Sequence, residues 1–452
     1  MTGRTISAAV RVCALITVLV LLGGCASVPA FADSVPAKTE ILEILHTPAP
    51  SIVPTPIPTP KPVPSPSLSP VATPVPAPVY ATIGVVGDIM MMQSQVGGAW
   101  NEQKQAYDFT PSFRGMQGYF QGADLLCGNL ETPIAGEEAG YTGPAPSAPP
   151  PVLEGTPTPR ERQTFNAPDE LASSLKLSGF DVITTANNHC LDRGADGAAH
   201  TAEVLRAAGL VQLGTYTSQE DRQTARVVDI KGMKVGLLAW TFSVNGNEGM
   251  LSSDERGYAV GRTGDKQRIQ EDIQLCKEAG AQFLIAFVHW DTEFEQTPAS
   301  STRKMARYLL EQGVDAVLGS HPHVVQPAEY VTVQRGDAEY TGLVAYSLGN
   351  FISNMSPSPR DYGLYVQLTL VKQPDGTVRL YDARLLPTYC CKHRVDGRTL
   401  HEVLPAEEDA SAIAAQYAVD TSALMRAREY VLEICGIAVQ PLPVLQTQDA
   451  QQ

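Results

Sequence analysis

Hydrophobic residues in the folded part of the chain gather in short runs that end on polar ones. Five runs stand out: ATIGVVGD at 81–88, ADLLCGNLE at 123–131, FDVITTANNH at 180–189, AQFLIAFVHW at 281–290 and VDAVLGSHPH at 314–323. Runs this short and continuously apolar predict strands covered on both faces. The segments between them have helical spacing instead: DELASSLKLSG from 169, DGAAHTAEVLRAAG from 196 and STRKMARYLLEQG from 301. The last two close on glycine after a periodic stretch, a helix stop signal. Strands alternating with helices predict an α/β layer with a mainly parallel sheet.

Each run ends on side chains that can bind a metal or hydrogen-bond: Asp88, then Asn129 and Glu131, then Asn188 and His189, then His289, then His321 and His323. Taken singly, each has a plain reading. Asp88 follows a common Gly-Asp strand end, Asn188 can cap a turn, and a lone His289 is usually a satisfied core histidine. The pair His321 and His323, around Pro322, is more specific in a chain with eight histidines. Ligands in open α/β sheets bind at the carboxyl ends of the strands, so five such ends predict one shared site. Imidazole with carboxylate suits Mn, Zn or Fe, and one or two such ions activate water. Metal-assisted hydrolysis is the expected chemistry.

Arg193, Trp290 and Glu293 lie just past these ends, where they can contact a carboxylate- or phosphate-bearing substrate. Ser347 and Asn350, in AYSLGNF, either meet a substrate or orient a ligand, or simply form a tight turn at Gly349. Residues 135–163 have no core pattern and read as a surface insertion over the same rim, either a lid or a disordered stretch.

The N-terminal residues read as targeting rather than fold. Arg4 and Arg11 precede an apolar stretch at 12–22, too short to span a bilayer comfortably. LGGC at 22–25 predicts a lipoprotein signal with Cys25 as the lipid anchor; an ordinary signal cleaved near Ala30 or Ala32 is the other reading. Proline then recurs at nearly every second position over 47–79, which predicts a polyproline II tether within 26–79, on the order of 100 Å long. The expected location is the cell surface, anchored to the membrane. A formal net charge of −15 argues against nucleic acid as a partner. An extracytoplasmic setting permits a disulfide between Cys435 and either Cys390 or Cys391, whereas Cys127, Cys190 and Cys276 read as small buried side chains.

Several segments together carry a family likeness. GDIM (87–90), GNLETPI (128–134), FNAP (165–168), TTANNHCLDRG (184–194), VHW (288–290), GSHPHVVQP (319–327) and YSLGNFI (346–352) resemble the CapA family of poly-γ-glutamate capsule biosynthesis proteins, over about residues 81–387. The resemblance implies a calcineurin-like metallo-dependent phosphatase fold, a four-layer α/β/β/α sandwich, occupying 80–387; beyond it the resemblance fades, and the composition of 388–452 predicts a helical extension and a frayed tail. It also implies a cell-surface role in making, anchoring or exporting poly-γ-glutamate or a related anionic polymer, with membrane capsule-synthase subunits as partners.

In the wider metallophosphatase pattern, Asp88 resembles the first metal ligand and Glu131 the bridging carboxylate. Asn188 resembles a ligand, His189 the acid that assists the leaving group, His289 the lone histidine, and His321 and His323 the closing pair. Met90 stands where that pattern has its first histidine. A thioether is a poor ligand for such ions, so Asn129 or water would substitute, or only one metal position would be well occupied. The expected activity is that of a metal-dependent hydrolase. A non-catalytic polymer-binding assembly factor and a surface phosphoesterase sharing the fold remain the alternatives.

Overall fold

All five expected strands form, but they divide between two sheets. The computed structural model describes residues 77–142, 164–395, 397–436 and 440–441. The signal, the anchor Cys25 and nearly all of the tether therefore lie outside the described residues, as do 143–163 of the insertion and most of the tail.

The strand Val79–Ile89 lies inside a nine-stranded sheet. On one side it pairs in parallel with Leu125–Leu130, followed by Val182–Thr184 and Val211–Leu213, also parallel. On the other it pairs antiparallel with Tyr362–Lys372, and Val378–Val395 and Arg398–Pro405 extend that antiparallel half. The second sheet has six strands. Its parallel centre is Met233–Thr241, Phe283–His289, Ala316–Ser320 and Ala338–Ala345.

Three apolar cores show the layer order. The largest takes Ile83, Val85, Leu364 and Val366 from the first sheet and Leu237, Ile285, Phe287 and Leu318 from the second, so the two sheets face each other. A second core joins the other face of the first sheet, through Val86, Leu126 and Ile183, to Leu171 and Leu175 of the helix Glu170–Leu177 and Leu205 of the helix Gly194–Ala207. A third joins the other face of the second sheet, through Leu238, Trp240 and Val317, to the helices Lys266–Glu278 and Ser300–Gln312. This is the four-layer α/β/β/α sandwich. Strands covered on both sides account for the unbroken apolar runs.

Two expectations change. Residues 388–405, assigned from sequence to a helical extension, instead continue the first sheet, and the helices begin afterwards at Ser411–Tyr417 and Thr421–Cys435. The disulfide is not formed: Cys127, Cys190, Cys276, Cys390, Cys391 and Cys435 are all free and buried. Cys390 instead donates to the Ser353 carbonyl at 3.3 Å, while Cys391 and Cys435 fill the core between the sheets. No helix among the described residues is long and apolar enough to cross a membrane.

Candidate metal centre

Strand register brings the polar ends into rows. Across the first sheet, Asn350, Asp88, Asn129 and Thr184 stand side by side. Across the second, Thr241, His289 and Ser320 do the same. Gly87 permits the first row to form: a Cβ there would collide with the Gly349 carbonyl, which accepts the Asp88 N–H at 3.0 Å. Both closing histidines sit at positive φ, His321 at 100° and His323 at 57°. Such strain costs on the order of 1–3 kcal/mol per residue and is retained where a site needs the geometry.

The two rows meet. The His321 N–H donates to Asp88 Oδ2 at 3.1 Å, and His323 Nδ1 lies 3.7 Å from the same oxygen. Glu131 Oε1 is 3.4 Å from His289 Nε2 and 3.7 Å from His323 Nε2. His289 Nε2 is also 2.9 Å from Asn188 Oδ1 and 3.1 Å from His321 Nδ1. Two donor groups result, Glu131 with His321 and His323, and Asp88 with Glu131 and His289, each with its ligand atoms within 4.8 Å of one another. Glu131 belongs to both, the place expected of a bridging carboxylate. Met90 is fully buried and belongs to neither.

Electrostatics show what the cluster lacks. Neither Glu131 oxygen has a hydrogen-bond partner. Burial pushes Glu131 up to about 8, against the opposing charge of His189. Burial and the Glu131 charge likewise raise Asp88. Burial, followed by neighbouring histidines, drives His289 and His323 well down and His321 to about 2. A buried carboxylate without a donor is costly, and the imidazole nitrogens facing it, 3.4 and 3.7 Å from Oε1, make no hydrogen bond to it. A divalent cation satisfies both, and this oxygen–nitrogen donor set fits Mn, Zn or Fe.

His189 stands beside these donors with a different partner. Its Nδ1 is 2.8 Å from Asp192 Oδ2, and its ring packs 4.5 Å from that of Phe165. Burial opposes its charge, but the Asp192 carboxylate outweighs burial and raises the imidazole above its ordinary value.

The remaining expected residues divide. Asn129 donates to Asp88 Oδ1 at 2.8 Å, and Asn350 Oδ1 is 3.0 Å from His323 Nδ1, so both orient members of the cluster. Arg193 donates to the Asp192 and Gly140 carbonyls and is half-buried. Glu293 is exposed, and its charge is felt at both Glu131 and His189. Trp290 does not reach the rim: side chains alternate along a strand, so the residue after His289 turns outward, into the helix-covered core, and donates to the Tyr346 carbonyl at 2.9 Å. Ser347 is buried, donating to the Val324 carbonyl and accepting from Gly349, which makes it a turn brace.

Sequence reasoning missed Asp192, Asn187 and Ser320. Asn187 donates to the Leu130 carbonyl at 2.7 Å, and Ser320 Oγ is 2.9 Å from His289 Nδ1. Asp192 had a readable signal: it lies three residues after His189, a spacing that puts two side chains on one face of a helical turn.

The insertion starts beside this segment. Asn166 accepts from Ala135 and donates to the carbonyls of Gly136 and Gly140 at 2.9 and 3.0 Å.

The chain is 26% identical over 272 residues to "Capsule biosynthesis protein CapA" of Bacillus anthracis, covering 60% of this chain and 59% of that protein. It is 26% identical over 302 residues to "PGA biosynthesis protein CapA" of Bacillus subtilis, covering 64% of this chain and 68% of that protein. Among solved structures it is similar to the calcineurin-like phosphoesterase YfkN from Bacillus subtilis, with a TM-score of 0.41 and 14% identity over 78% of this chain and 100% of that one. The pattern of the bacterial capsule synthesis proteins, PGA_cap, matches residues 82–355 and so takes in every residue of the donor cluster, and the chain belongs to that family.

Proposed function

We propose that this protein works at the cell surface in making, anchoring or exporting poly-γ-glutamate, and that it carries a metal-dependent hydrolase site. Family membership and the capsule and PGA biosynthesis names of its relatives support the pathway. The observation that carries the hydrolase reading is the convergence of Asp88, Glu131, His289, His321 and His323 around a carboxylate that has no hydrogen-bond partner.

These five residues, with Asn188, would hold one or two divalent ions of the Mn, Zn or Fe class. A bound ion of this kind supplies Lewis acidity and lowers the pKa of water. The chain's own groups do the rest. Asn129 and Asn350 fix the orientation of Asp88 and His323. Asp192 holds His189 by Nδ1, leaving Nε2 to give a proton to a leaving group. Arg193, on the same turn, would meet an anionic substrate by exchanging its hydrogen bonds to the Asp192 and Gly140 carbonyls. Cys25 would carry the lipid anchor and residues 26–79 the spacer that lifts the folded part off the membrane.

The test is metal-loaded protein mixed separately with poly-γ-glutamate and with generic phosphoesters. Polymer cleavage is the expected result. Turnover of phosphoesters alone would make this a surface phosphoesterase. Polymer binding without turnover would make it an assembly factor of the capsule synthase. The anchor is tested by Cys25→Ser, which should release the protein from the membrane fraction.

A further inference from the structure

On the His323 side of the cluster an arginine lies over an exposed ring. Phe294 follows the strand Phe283–His289 on a loop that folds back over the donors, its N–H donating to the Pro322 carbonyl at 2.7 Å. It is 38% exposed although aromatic, and its φ is +69°. A bulky residue in that region is a genuine outlier, costing about 1–2 kcal/mol, and strain of this kind gathers at ligand-binding sites. Its ring lies 6.0 Å from that of His323, and the Arg360 guanidinium lies 3.7 Å from its centroid.

Arg360 is tied to the cluster by a second route. Asn350, whose Oδ1 meets His323 Nδ1 at 3.0 Å, donates through Nδ2 to the Arg360 carbonyl at 2.8 Å. The Arg360 side chain makes a 3.3 Å hydrogen bond to the Ser356 carbonyl and lies over Phe294, and no carboxylate among the described residues pairs with it. Many other arginines of this acidic chain do have carboxylate partners, as Arg206, Arg222, Arg262 and Arg335 do. Stacking on a ring holds the guanidinium plane while leaving N–H edges free for a bidentate carboxylate. Glu293, next to Phe294, repels anions from the same rim, so an anionic substrate needs a local cation there.

We infer that Arg360, held by Phe294, receives a carboxylate of the substrate beside the metal-binding donors and thereby selects a polycarboxylate chain. This rests on the polymer reading above and adds the residue that recognises it. An Arg–carboxylate pair in such a place is worth about tenfold or more in affinity.

The experiment compares full-length wild type, Arg360→Gln, Arg360→Lys and Phe294→Leu. Binding is measured to poly-γ-glutamate and to its methyl ester, with metal content determined on each protein. R360Q should keep the wild-type metal content and bind the polymer about tenfold more weakly or worse. R360K, which keeps charge but loses the planar fork, and F294L, which loses the stack, should fall between. Toward the ester, wild type and R360Q should bind alike, a result that a merely structural role for Arg360 would not give. Equal polymer binding by wild type and R360Q overturns the assignment of Arg360 and leaves the polymer reading intact. A wild type that loads metal but binds no polymer overturns that reading, and the inference with it. Should R360Q fold poorly, R360K and F294L decide: wild-type affinity in both overturns the inference.

Discussion

Glu131 brings both carboxylate oxygens to a place where no hydrogen-bond donor meets them. At the scale of one residue this is the clearest sign that the site is built for a cation, because a buried polar group left unpaired costs about 1–3 kcal/mol or more. Replacing it separates binding from stability. Glu131→Gln should lower Mn or Zn affinity about 100-fold or more, while the melting temperature of chelated protein stays the same or rises. Metal titration and thermal melts with chelator check both halves, and a large loss of metal-free stability would mean Glu131 is structural. Asp192 makes the complementary case. Its 2.8 Å contact with His189 Nδ1 fixes the ring without touching the donor cluster. Asp192→Asn should therefore leave metal content unchanged and reduce turnover about 10–100-fold. A joint loss of metal and activity would make Asp192 a packing residue.

At the scale of elements, the helix Lys266–Glu278 is fixed to the second sheet by a buried charge. Asp272 accepts from Arg222 Nη2 at 2.7 Å and from Trp240 Nε1 at 2.8 Å, and it pairs with Arg222 Nη1 as well. The Arg222 guanidinium also lies 4.8 Å over the Tyr216 ring. Removing one partner strands the other, so Asp272→Ala should cost about 3–5 kcal/mol, read as a shifted urea midpoint at unchanged slope. The double variant Arg222→Met, Asp272→Leu should regain most of that loss, and its failure to do so would show that the pair is more than charge compensation. Of the strands near this helix, Phe283–His289 was legible in sequence because burial on both faces writes itself as an apolar run, whereas Met233–Thr241, which carries Trp240, was missed. Less legible was where runs stop. FDVITTANNH yields a strand of three residues, Val182–Thr184, because its polar tail leaves the sheet to form the His189 turn. Residues 388–405 pair largely with one another as a hairpin, and their place in the antiparallel half of the sheet is set where Thr388 and Tyr389 pair with Gly363 and Tyr362.

At the scale of the whole molecule, the candidate site exists because two sheets meet. Asp88 and Glu131 come from the end of the first sheet, and His289, His321 and His323 from the end of the second. The sequence displayed every one of these residues at a strand end, but it could not display that Asn350 would register beside Asp88, or that Trp290 would turn away into the outer core. Those facts depend on strand pairing and side-chain alternation, which local pattern does not encode. The same geometry makes a metal a clamp between the sheets. Any opening that separates their ends breaks the donor set, so binding should raise the free energy of global unfolding rather than of one loop. At a hundredfold excess over the dissociation constant this amounts to about 2.7 kcal/mol, a melting shift of several degrees. Mn or Zn should therefore raise the melting temperature of the wild type and slow amide exchange along both inner strands, Val79–Ile89 and Phe283–His289. In His321→Ala, His323→Ala both effects should vanish while the metal-free melt stays near that of the wild type. Protection confined to the second sheet would place the ion on the histidines alone, and Asp88 and Glu131 would then lose their part in holding it.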